Sequence, residues 1–160
     1  MSYSIHIGNA EIESGFEDGE FYASWSVRTH KEEDAPNFEG DDMTGNSNGR
    51  HPGYGQWADF LKEVDMYDLF LNRDDESSLM YRHPGCHPLK EEHLDRFKEA
   101  LTKLEDKDKR PAGLDKRYIE NPCVNIEDET HSYDKVRLIW LIWWTEWALK
   151  NCKYPAISNS

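Results

Sequence analysis

Residues 136–150, "VRLIWLIWWTEWALK", decide how this chain folds. Val136, Ile139, Trp140, Trp143 and Trp147 share one helical stripe, and Leu138, Leu141, Ile142 and Trp144 fill most of the remaining surface. A helix that is apolar on nearly every side is stable only in the middle of a fold or at a subunit interface. The pattern predicts a core helix from about Ser132 to Asn151, with homo-oligomerisation through Trp140–Trp147 as the alternative. Its longest unbroken apolar run, residues 138–144, is far short of the roughly 20 residues that cross a bilayer. No membrane partner is expected.

Something must cover that helix. "HPLKEEHLDRFKEALTKLEDK" (87–107) carries Leu89, Leu94, Phe97, Leu101 and Leu104 at helical spacing. Pro88 suits a first helical position, and Glu91 and Glu92 favour the positive start of a helix. "GQWADFLKEVDMYDLFL" (55–71) places Trp57, Phe60, Leu61, Val64 and Tyr67 on another stripe. Near the N-terminus the period changes from helical to two. "FYASWSVR" (21–28) puts Phe21, Ala23, Trp25 and Val27 on one face, and Ile5 and Ile7 alternate before the turn signal Gly8-Asn9. The fold class expected is α+β, a small antiparallel sheet from the N-terminal third packed against about three helices. One domain of 160 residues would divide into strands (1–30), a long acidic Gly/Asn loop (31–55), two helices (56–105), a loop (106–128), the core helix (129–152) and a tail (153–160).

The formal net charge of −13 is unevenly placed. Residues 1–48 hold eleven acids, among them Glu32, Glu33, Asp34, Asp41 and Asp42, against Arg28 and Lys31. Such a surface repels a phosphate backbone, which argues against direct nucleic-acid binding, and attracts a basic partner surface. Basic residues gather only in 103–117, from Lys103 to Arg117. The three cysteines, Cys86, Cys123 and Cys152, are an odd set without repeated spacing, which points to reduced thiols. With no basic-then-apolar leader, a cytoplasmic location is expected.

One short sequence occurs twice: Arg50-His51-Pro52-Gly53 and Arg82-His83-Pro84-Gly85. Three chemistries compete for it. A zinc site would draw on His83, Cys86, His87 and His93, with His51, His131 or Cys152 completing a tetrahedron, but only His83-x-x-Cys86 has a ligand-pair spacing. A catalytic Cys86 thiol with His83 as base would sit just before a helix start, where thiol pKa values fall. No nucleophile elbow, phosphate loop or His-Glu-x-x-His accompanies it. The third chemistry is anion capture, with each Arg-His-Pro-Gly leading into a helix whose first N–H groups are unpaired. Arg50, His51, Arg82 and His83 would hold the anion, and Tyr54, Trp57 and Tyr81 would stack on a ring. The plain alternative is a Pro-Gly turn into a helix, used twice.

"HPGYGQWADFLKEVDMYDLF", "RHPGCHPL" and "WWTEWALKNCKYPAISNS" resemble segments of small uncharacterised acidic proteins encoded by bacteriophages and prophages. The resemblance spans residues from about 50 to 104 and the last helix, and it brings no activity with it. It implies a chain that acts inside a bacterium on host machinery. The function expected is a non-catalytic binding protein, without cofactor, that acts in counter-defence or host take-over. It would work through its acidic surface or by binding a small anionic, nucleotide-like ligand. A zinc- or cysteine-dependent enzyme and an assembly component are the alternatives.

Overall fold

The computed structural model describes residues 1–10, 48–112 and 130–160. The expected strand at 21–28, the acidic residues Glu32, Glu33, Asp34, Asp41 and Asp42, Cys123, and the basic residues Lys116 and Arg117 lie outside the described residues.

Among the described residues four strands, β1 (Ile5–Asn9), β2 (Gly49–Arg50), β3 (Gly85–Pro88) and β4 (Pro155–Asn159), form one antiparallel sheet in the order β2-β1-β4-β3. The described residues also form the helices α1 (Tyr54–Glu63), α2 (Tyr67–Leu71), α3 (Glu91–Lys107) and α4 (Tyr133–Asn151). The fold is α+β, and α4 is its core helix: Leu138, Trp140, Leu141, Trp144 and Ala148 are all buried. They meet Ile5, Ile7 and Ile157 from the sheet, Trp57, Phe60 and Leu61 from α1, Phe70 from α2, and Phe97 from α3 in one apolar cluster. Trp140 and Trp144 are thus used inside the chain's own core, while Trp143 and Trp147 are half-buried against it. No helix of the described residues is long and apolar enough to cross a membrane.

Opposed residues in an antiparallel sheet point to the same face. The row Ile7–Ile157–His87 and the row Arg50–Ile5–Asn159–Gly85 therefore face the helices. Ile5, Ile7 and Ile157 are wholly buried there. On the other face Ala10, Cys86 and Ala156 pack together beside Tyr154, in rows shared with His6, Ser158 and Pro88.

Three local expectations change. Residues 153–160 are not a tail: β4 pairs with both β1 and β3 and is an interior strand. Five residues, Pro155 to Asn159, give too short an alternation to separate from a polar end by pattern alone. Because β4 is there to be paired, residues 85–88 become β3 instead of a turn into a helix, and α3 begins at Glu91 rather than at Pro88. Proline is tolerated in β3 because that strand is at the sheet edge. The helix at 55–71 is likewise two helices. α1 ends in a Schellman turn, in which Met66 N–H donates to the Leu61 carbonyl at 2.8 Å and Asp65 N–H to the Lys62 carbonyl at 3.2 Å. Asp65 takes the left-handed conformation, φ 57°, which restarts the helical phase. Met66 and Phe70 then point inward, and Tyr67, expected on the buried stripe, points out.

Candidate functional site

Both Arg-His-Pro-Gly stretches arrive at the same end of the sheet. The first leaves β2, the second leads into β3, and alternating strand directions bring these points to one side. Between them, residues 1–4 extend the pairing: Tyr3 N–H donates to the Pro52 carbonyl at 2.9 Å, and Ser4 exchanges backbone bonds with Ser160 at 2.8 and 3.1 Å.

The two stretches meet through Tyr54 and His83, not through their arginines. The Asn159 amide nitrogen donates to the Arg82 carbonyl at 3.0 Å, which turns its Oδ1 toward His83 Nδ1, 2.6 Å away. His83 Nδ1 therefore carries the proton and donates to Asn159. Its Nε2 is left as an acceptor, and the Tyr54 hydroxyl donates to it at 3.1 Å. Asn159 is only 2% exposed, so a buried amide orients an exposed histidine. Tyr3 packs beside them, its ring centroid 4.3 Å from Tyr54 and 5.1 Å from His83. Burial first, then Tyr54, pushes the Tyr3 phenol above its ordinary pKa, and Arg73 partly offsets this. On the first stretch, His51 Nδ1 bonds the Ser4 hydroxyl at 3.1 Å, and its ring stands 5.9 Å from His6.

The turn at 82–85 requires its glycine. A Cβ on Gly85 would stand 2.7 Å from both the Arg82 carbonyl oxygen and the Arg82 Cβ, and the oxygen cannot move aside. The His83–Pro84 peptide within it is cis.

The arginines themselves are separated. Arg50 is on edge strand β2 and Arg82 precedes the opposite edge strand β3, with two strands between, so about 14 Å divides the edges at ordinary strand spacing. The Arg50 guanidinium lies 4.7 Å over the Trp140 ring and donates to the Gly49 carbonyl at 2.9 Å, which fastens β2 to α4. Trp57 is buried and donates from Nε1 to the Met80 sulfur at 3.3 Å, while Tyr81 is half-buried. Of the seven residues expected to capture an anion, Tyr54 and His83 are brought together, Arg82 adjoins them through its backbone, and His51 sits on the neighbouring turn.

The zinc and cysteine readings have little geometry behind them. Among the described residues, no three His, Cys, Asp or Glu side chains are placed to hold a metal ion. His83 is committed to Tyr54 and Asn159, and His87 Nδ1 bonds the Pro88 carbonyl at 2.8 Å. His93 Nδ1 accepts the Lys90 N–H at 2.9 Å as a helix cap, its ring 6.0 Å from His87. Cys86 lies on the sheet face away from the helices, packed with Ala10 and Ala156, and burial pushes its thiol up to about 12. That is the reverse of an activated nucleophile.

Sequence reasoning missed Asn159, Tyr3 and Ser4. No local signal marks them, because their role depends on β4 lying beside β1. As chemistry, tyrosine–histidine–asparagine has the order of a nucleophile, a base and an orienting group. It lacks a water-excluded electrophile site, since His83 is exposed. Its evident action is to lock two turns together and present a tyrosine, a histidine and Arg82 at the surface. No protein-family model matches the chain, and no curated protein or solved structure matches it either.

Proposed function

We propose that this chain is a non-catalytic binding protein of the phage-encoded kind, which presents acidic segments to the basic surface of a host protein. One observation carries the reading: the charge is divided between two parts of the chain. Residues 1–10, 48–112 and 130–160 hold sixteen acids and fifteen bases, a net of −1. Residues 11–47 and 113–129 hold sixteen acids and four bases, a net of −12. Solubility alone is served by charges spread over the whole surface. Acid concentrated in two segments, on an almost neutral scaffold, suits electrostatic steering toward a basic partner. The buried, raised thiol of Cys86 weighs against the enzyme alternative.

The test is affinity capture of bacterial proteins by the full chain at low and high salt, beside a variant carrying Glu32→Lys, Glu33→Lys, Asp41→Lys and Asp42→Lys. Wild type should retain basic proteins in a salt-sensitive way, and the variant should lose them. Equal retention of the same proteins by the variant, or none by wild type, would sink the proposal.

A further inference from the structure

A groove of about 510 Å³ opens between the end of α1 and the loop after α2, its lining including Lys62, Asp65, Tyr67, Asp68 and Arg73. Volumes of this order hold small organic ligands. Tyr67 is 42% exposed; apart from Met1, it is the one large hydrophobic side chain that the described residues leave in the open. The Lys62 ammonium stands 5.6 Å from the centroid of its ring. Arg73 is exposed, and among the described residues neither it nor Lys62 forms an ion pair.

Two carboxylates share the groove. Asp68 is engaged by Arg96 at 3.4 Å. Asp65 occupies a left-handed position that favours glycine, so its side chain is kept there at a conformational cost. The groove thus offers an aromatic face, two cations for an anionic group, and a carboxylate acceptor for hydroxyl or amine hydrogens.

We propose that this groove binds a nucleoside phosphate. The base stacks on Tyr67, the phosphate pairs with Arg73 and Lys62, and a ribose hydroxyl or exocyclic amine donates to Asp65. Planar rings stack on tyrosine, and a guanidinium meets phosphate with two parallel hydrogen bonds. The proposal is independent of the acidic-partner reading, since its residues lie outside the acidic segments.

Calorimetric titration of the full chain with the four nucleoside 5′-monophosphates, with adenosine and with inorganic phosphate tests it. At least one nucleotide should bind one-to-one, about tenfold or more tighter than either fragment. Tyr67→Ala and Arg73→Ala should each weaken binding about tenfold, whereas Tyr67→Phe, which keeps the stacking ring, and Lys150→Ala, at an exposed position near the end of α4, should retain it. Both substituted side chains are exposed, and an unchanged melting temperature verifies folding. No binding by any of the four nucleotides overturns the proposal. So does binding that survives both alanine variants, or a fragment that binds as tightly as the nucleotide.

Discussion

His93 shows how one side chain joins a helix start to the pH dependence of the whole fold. Its ring is buried at the third position of α3, where it accepts a backbone N–H and sits close to His87. Burial foremost, then His87, lowers its pKa to about 4, and burial lowers that of His87 as well. The unfolded chain binds a proton near pH 6.5, while folded His93 resists one until about 4. Its contribution is therefore complete above pH 6.5 and is lost as pH falls from there toward 4. For this one group the slope is at most about 1.4 kcal/mol per pH unit. Urea unfolding at pH 7.5 and pH 5 should show the loss, and His93→Gln should flatten it. An identical pH slope in the variant would contradict this assignment.

The helices are stabilised at their ends by identifiable contacts. The Ser132 hydroxyl caps α4 by accepting Lys135 N–H at 3.3 Å. Lys135 is buried, and its ammonium donates to the Asp108 and Arg110 carbonyls where the chain leaves α3. Lys98 reaches Glu146 at 2.8 Å and links α3 to α4, a contact of modest worth at an exposed site. The end of α1 is the exception, because Asp65 stands where glycine would relieve the backbone. Asp65→Gly should raise stability by about 0.5–1 kcal/mol, seen as a higher urea midpoint at unchanged slope. A fall in stability would show that the carboxylate contributes more to the fold than the backbone geometry costs.

For the whole molecule the decisive element is β4, which joins the two halves of the sheet. Without it β1 and β3 have no common neighbour, and Ile157 has no place in the core cluster. Ile157→Ala should cost about 3 kcal/mol, as for a fully buried aliphatic side chain. Ile139→Ala, at a half-buried position on α4, should cost clearly less. Equal costs, measured by urea unfolding, would mean that the sheet contributes less to the core than its burial implies.

The α+β class, the core position of α4 and its start at Ser132 were legible because each rests on many residues at a fixed period. A twenty-residue pattern outweighs local noise. The buried faces of α1 and α3 were legible for the same reason. The division of α1 from α2 was not, because a single left-handed residue made it and aspartate does not announce that conformation as glycine does. The echo at 50–53 and 82–85 was legible, and so were the charge and donor number of its arginines, which are properties of a residue alone. The meeting of Tyr54, His83 and Asn159 is a property of strand order. Residue order alone determined which stretches of the chain carry the negative charge. Only the tertiary structure placed β4 between β1 and β3, because pairing across some 150 residues is set by which edges remain open once the core has closed.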